Sequence, residues 1–137
     1  MSDMQYDLET ARDFFSKDTF AVKTTGIKID KVAEHYAKCS LKINDSHKNA
    51  YGGVMGGAIF TLADYTFAVA ANFNQCQTVS TTSQINFIGA VKGNELIAES
   101  VLIKDGRSTC LYQINITDEL GTKIAFVTVN GMKLCKK

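Results

Sequence analysis

At 137 residues the chain is the size of one ordinary domain, long enough to bury a core without staples. A formal net charge of +1 with 21% charged residues leaves no broad basic field, so nucleic acid is not an expected partner. The four cysteines, Cys39, Cys76, Cys110 and Cys135, stand far apart with no C-x-x-C pair and no nearby histidine, which disfavours a zinc site. The polar, acidic start MSDMQYDLET has no apolar signal region, so a reducing cytoplasm with free thiols is the expectation. Proline is absent, which argues against a flexible interdomain hinge, and Lys133, Lys136 and Lys137 read as a solubilising end.

In chain order, Asp7 to Ser16 reads as a short amphipathic helix with Asp7 as its N-cap and Leu8, Ala11, Phe14 and Phe15 on one side. A short strand is expected from Thr24 to Ile29. A clearer one runs from Glu34 to Ile43, where His35, Ala37, Cys39, Leu41 and Ile43 alternate with polar residues. His35 on that inner face is expected to be packed and hydrogen-bonded rather than catalytic. Asn44 to Met55 is a polar, glycine-bearing loop in which His47 and Asn49 fit as turn residues. From Ala58 to Ala71 the run is apolar on nearly every side of a helix, which predicts a helix buried all round that carries one charge, Asp64. It is too short, and too acidic, to cross a bilayer, so no membrane association is expected.

The remainder is strand upon strand: Val79 to Ile88, Glu95 to Lys104, Ser108 to Thr117 and Thr122 to Leu134, rich in β-branched and aromatic residues. Asp105-Gly106 predicts a two-residue hairpin, and the four strands a meander. Asn130-Gly131 marks a bend or bulge in the last strand. Helices segregated from strands give the class α+β, a curved antiparallel sheet wrapped around one long helix in a single domain.

Gly52, Gly53, Gly56 and Gly57 precede that helix, where glycines either leave free N–H groups for an anion or oxyanion or only permit close packing. Asp64 lies seven residues past Gly57, about 10 Å along a helix rising roughly 1.5 Å per residue. An oxyanion donor and a base must both lie near one carbonyl, so a shared substrate requires Asp64 from a second subunit. A two-fold dimer then holds two equal sites. After the helix, Ser80, Thr82, Gln84 and Asn86 alternate with Val79, Thr81, Ser83, Ile85 and Phe87, a polar row suited to holding a water or the Asp64 carboxylate, or to hydroxyl pairing.

The run Asn49-x-x-Gly52-x-x-Met55-Gly56-Gly57 with Thr61-Leu62-Ala63-Asp64, then Ile85-Asn86-Phe87, Gly93 and Asp105-Gly106-Arg107, resembles the hotdog-fold acyl-CoA thioesterases of the phenylacetate-pathway, PaaI-like, type. The resemblance covers Glu34 to Met132. It implies a hotdog fold whose dimers share one continuous sheet and can pair into tetramers, with acyl-CoA as substrate and no separate cofactor, coenzyme A being part of the substrate. It further implies that Gly57 N–H polarises the thioester carbonyl, that Asn49 orients substrate or water, and that Asp64 of the partner chain is base or nucleophile. Met55 and Gly56 would touch the substrate, Ser80 would assist the carboxylate with Thr82 on the same face as a substitute, and Lys104 and Arg107 would meet the coenzyme A phosphates. Members of this type usually carry histidine where this chain has Met55. The alternative on the same fold is a non-catalytic acyl-CoA-binding protein.

Overall fold

The computed structural model describes residues 6–135; the acidic first five residues and Lys136 and Lys137 of the basic tail lie outside them. Asp7 caps α1 (Leu8–Phe15) as its position predicts, its carboxylate accepting the Thr10 N–H at 2.9 Å. Buried Ala11 and Phe15 set α1 against the sheet, and the Arg12 side chain donates to the Ile29 carbonyl. The strand expected from Thr24 is displaced. Phe20–Thr25 is instead a π-helical turn, stopped by Gly26 at φ 92°, and β1 (Ile27–Ala33) starts only afterwards.

Glu34 and His35 form the tight turn into β2 (Tyr36–Lys42), with His35 in the left-handed region at φ 55°, so the strand begins two residues later than the alternation suggested. His35 is half-buried, its Nδ1 3.4 Å from the Tyr112 hydroxyl and its Nε2 3.6 Å from Asp105, a turn residue with polar partners. A short 3₁₀ turn, Asp45–His47, and a loop lead to α2 (Gly56–Asn72). Then follow β3 (Thr78–Phe87), β4 (Glu95–Asp105), β5 (Thr109–Asp118) and β6 (Lys123–Lys133). All pairings are antiparallel, in the order β1-β2-β4-β5-β6-β3.

The expected four-strand meander holds only for β4, β5 and β6. α2 carries the chain across the sheet, so β3 enters at the far edge beside β6. Asn72 pins it there, donating to the Thr78 carbonyl at 3.1 Å and accepting the Thr78 N–H at 2.7 Å. One sheet face packs on α2 through alternating residues such as Leu96, Ala98, Ile114, Ile116, Val127 and Val129, all buried. Each large apolar side chain so buried contributes about 1.5–3 kcal/mol. Gly131 permits a close approach: a Cβ there would lie 2.8 Å from Cys110 Sγ and 3.1 Å from the Phe67 ring, which itself meets Tyr112 edge-on at 5.5 Å.

The irregularity expected at Asn130-Gly131 lies across from it. Ser80 opposes Gly131 and Thr82 opposes Asn130, so Thr81 is the extra residue and the bulge belongs to β3. The hairpin at Asp105 also departs from expectation. Gly106 to Ser108 make a longer loop closed by the Gly106 N–H donating to Thr109 O at 2.8 Å, and Gly106 does not take the positive φ of a two-residue turn. Lys133 shapes this loop, its ammonium lying 2.6 Å from both Asp105 and the Gly106 carbonyl. Lys133 is therefore part of the fold rather than of a solubilising tail.

The expectation of four free thiols is overturned. Cys76, just after α2, and Cys135, just after β6, form a disulfide with Cα atoms 5.6 Å apart, while Cys39 and Cys110 are buried and free. The register explains it: the Leu134 N–H donates to Gln77 O at 2.8 Å, which holds the two segments side by side. No described helix is long and apolar enough to cross a membrane.

At the other end of the sheet Asp118 organises two loops at once. Its Oδ2 accepts the N–H groups of Lys92 and Gly93, and its Oδ1 those of Leu120 and Thr122, all at 2.9–3.0 Å. Burial pushes this carboxyl up, but the four donors outweigh it and hold it well below the ordinary carboxylate range.

Two stability predictions follow from these ties. The disulfide closes a sequence separation of 59 residues, so reducing it should cost about 4 kcal/mol by loop-closure entropy. Thermal unfolding with and without reductant should differ by on the order of 10 °C, and equal midpoints would refute the contribution. Because the Asp118 carboxyl titrates lower in the folded state, its contribution is complete above about pH 4 and fades as pH falls further. Urea midpoints of wild type and Asp118→Asn should therefore differ at pH 7 and converge in acid; a gap independent of pH would contradict this.

Candidate active site

The helix expected to be buried all round is not. Leu62, Ala63, Thr66, Val69 and Ala70 are buried against the sheet, but Gly57, Thr61, Asp64 and Ala68 form one open stripe. Their spacing of three to four residues keeps them on one helix face. Gly57 and Asp64 are both exposed, at opposite ends of the middle of this stripe.

The start of α2 is uncapped. Met55 occupies the N-cap position with extended backbone (φ −65°, ψ 139°) and supplies no side-chain acceptor. Its carbonyl takes the N–H groups of Ala58 and Ile59 at 3.1 and 3.3 Å, and its own N–H donates to His47 O at 2.8 Å. Gly56 and Gly57 are left without acceptors among the described residues, at the positive end of a 17-residue helix. That is what an oxyanion donor requires.

Two grooves flank this end. One, of about 620 Å³, is floored by Gly56, Ile59, Phe87 and Val91 with Lys48 on its rim. A Cβ on Gly56 would come within 2.9 Å of the Phe87 ring, so glycine lets this edge of the sheet close over the helix start. The second, of about 380 Å³, lies on the Gly57 side between Met55, Thr61, His47 and Phe20. It adjoins a third, of about 370 Å³, which shares Phe20 and Thr61 and contains Asp64 and Asp18. The π-helical turn thus walls the whole open stripe, a role that strand-like patterning at Thr24 concealed.

Asp64 opens to this cleft, but Tyr65, Ala68 and the π-helical turn crowd its flanks. Desolvation therefore raises its pKa, and the negative charge of Asp18 raises it further. Thr61 donates to the Gly57 carbonyl at 2.8 Å and so leaves the Gly57 N–H untouched.

Asn49 is committed to its loop, with Oδ1 accepting from Tyr51 N–H at 2.9 Å and from Gly53 N–H at 3.1 Å. Its Nδ2 donors remain for a ligand. His47 is buried and occupied on both nitrogens: Nδ1 accepts the Asn44 N–H at 3.0 Å and Nε2 lies 2.7 Å from Thr25 O, which fixes the proton on Nε2. It braces the helix start and does not replace the missing histidine. Met55 stands half-exposed beside Gly57 with its thioether at the groove.

The bulge at Thr81 separates Ser80 from Thr82. Ser80 pairs with inward-facing Gly131 and shares the helix side of the sheet with Ser83, Ile85 and Phe87. Thr82 pairs with exposed Asn130 and faces away, so it is no substitute for Ser80. Lys104 and Arg107 do not reach the glycine end either. Their hairpin adjoins Ala71, Gln75 and Cys76 at the C-terminal end of α2, about 25 Å from Gly57 along the helix. The lysine on the site's rim is Lys48, which the sequence pattern did not single out.

Residues 51–125 match the model of the thioesterase superfamily. The acyl-coenzyme A thioesterase PaaI of Escherichia coli is 27% identical over 118 residues, covering 85% of this chain and 84% of that one. Among solved structures, the E. coli PaaI protein from the phenylacetic acid degradation operon superposes with a TM-score of 0.81 at 21% identity, over 96% of this chain and 99% of that one. A hypothetical thioesterase protein with coenzyme A from Streptococcus pneumoniae gives 0.81 at 23% identity, over 90% and 98%. With a six-stranded antiparallel sheet laid against a single long helix and the family's pattern running through that helix, the chain belongs to the thioesterase superfamily, as a PaaI-like hotdog hydrolase.

Proposed function

We propose that the protein hydrolyses acyl-CoA thioesters at two equivalent sites between two copies of the chain. The observation that carries this reading is the open stripe of α2, where free glycine N–H groups and an exposed carboxylate lie about 10 Å apart. They are too distant to serve one carbonyl from one helix, and two-fold pairing brings each to the other's counterpart. The unpaired outer edge of β3 is where a second sheet would continue the first, and pairing into tetramers remains compatible with it.

In each site the thioester carbonyl accepts the Gly57 N–H, with Gly56 and Met55 against the substrate. Asp64 of the partner subunit takes a proton from water, and the resulting hydroxide attacks the carbonyl carbon. The oxyanion is held at the helix start while the tetrahedral intermediate collapses, breaking the C–S bond. Coenzyme A leaves as a thiolate that takes up the proton, and the free acid remains. Asn49 orients substrate or water through Nδ2, and Ser80 supports the carboxylate. No metal or separate cofactor enters this scheme. Lys48 is better placed than Lys104 or Arg107 for a phosphate near the glycine end. A cytoplasmic setting suits an acyl-CoA substrate, whereas the Cys76–Cys135 bond is of a kind that persists in oxidising compartments, and the redox state of that pair in the cell decides between them.

Thiol release from a panel of short, medium and aromatic acyl-CoAs tests the scheme. Asp64→Asn should keep the fold and substrate binding while lowering kcat by about 10²-fold or more; equal rates would sink the mechanism, and binding without turnover by wild type would leave a non-catalytic acyl-CoA-binding protein. Ser80→Ala should slow the reaction by about 2- to 10-fold, the worth of one hydrogen bond, while Thr82→Val, on the far face, should leave it unchanged. Loss of rate in the Thr82 variant instead would show that the bulge does not sort the two hydroxyls.

A further inference from the structure

The cleft that holds Asp64 contains a second carboxylate for which the hydrolytic scheme has no use. Asp18 stands between α1 and the π-helical turn, and its backbone is fixed on both sides. Its N–H donates to Phe15 O at 3.1 Å, and its carbonyl accepts the Val22 N–H at 3.0 Å, which starts the turn. The side chain is exposed and lines the same groove of about 370 Å³ as Asp64, together with Thr61, Tyr65 and Ala68.

No cation lines that groove among the described residues. Lys17, next to Asp18 in sequence, lies over the Phe14 ring at 5.3 Å. Tyr65 is the remaining titratable group facing the cleft. Its hydroxyl donates to Phe15 O at 3.4 Å, and burial keeps it protonated. A surface acid serving only solubility needs no such placement. Here two carboxylates face one open cleft with no cation between them among the described residues, and crowding of Asp64 by its neighbours reduces the solvent that would screen them.

We infer that Asp18 is a positioning residue of the active site that acts through Asp64, the other carboxylate facing the same cleft with no cation lining it among the described residues. This rests on the proposed role of Asp64 as the base. Each site would then take Asp18 and Asp64 from one subunit and the glycine N–H groups from the other. A base whose proton affinity lies nearer the working pH is the more effective one, by Brønsted behaviour.

The sign is definite. Removing the Asp18 charge lets Asp64 ionise at lower pH, so the acid limb of kcat/KM moves down while the weaker base slows the plateau. In Asp18→Asn the limb should fall by roughly half a pH unit and the plateau by a few-fold, with KM little changed. Asp18→Glu should restore the wild-type profile, and added salt should move wild type towards the Asn variant. Carboxyl ¹³C NMR titration of Asp64 in both proteins reads the same coupling without turnover. A folded Asp18→Asn protein with the wild-type limb and an unmoved Asp64 titration overturns the inference and leaves Asp64 as base. Absence of hydrolysis by wild type overturns the hydrolytic reading, and the NMR titration then still decides whether the two carboxylates are coupled.

Discussion

One sheet cannot cover a helix all round. α2 is apolar enough to demand burial on nearly every side, yet the single six-stranded sheet packs against only part of its circumference, and α1 with the π-helical turn adds a second wall. What remains is a stripe from Gly57 through Thr61 and Asp64 to Ala68. The site is thus the place where the fold of one chain is incomplete. The open glycine N–H groups and the exposed Asp64 carboxylate share that cause, since both lie on the stripe that the sheet, α1 and the π-helical turn leave uncovered.

The far edge of the sheet follows the same logic. β3 is ten residues long and has one unpaired side, with Val79 39% and Phe87 55% exposed. Long open edges are normally blunted by charge, proline or a covering element. Apart from Ile85, β3 has only hydroxyl and amide side chains between Val79 and Phe87. Its Thr81 bulge sets which hydroxyl faces α2 and which faces away, so a single extra residue reverses the face that the alternation assigns to Thr82.

Much of this was legible in the sequence, and the reasons differ by element. The strands after α2 were readable because β-branched residues, alternation and short polar breaks all pointed the same way. Asp7 was readable because a cap is a local interaction, and the glycines before α2 because their clustering marks a turn that runs straight into a helix start. The misses are tertiary. Thr81 looks like any strand threonine, since a bulge changes the face without changing composition. Thr24 and Thr25 have strand propensity, but Gly26 and the Asp18 carbonyl impose a helical turn. Cys76 and Cys135 are widely separated in sequence, and only the register of β3 with β6 brings them together. Lys104 and Arg107 sit beside a motif-like hairpin, and within one chain the length of α2 keeps them away from the glycine end.

The missing histidine sharpens what the site depends on. Met55 neither caps the helix nor donates a hydrogen bond, so the N–H groups of Gly56 and Gly57 stay open to a ligand instead of to a side chain. His47, the nearest imidazole in sequence, is locked between Asn44 and Thr25 and cannot swing in without unsatisfying both. At the helix start the donors left open are therefore backbone N–H groups, which do not titrate. The carboxylate on the stripe is that of Asp64, and the residues that crowd it, from Phe20 to Tyr65, raise its hold on a proton by keeping water from it.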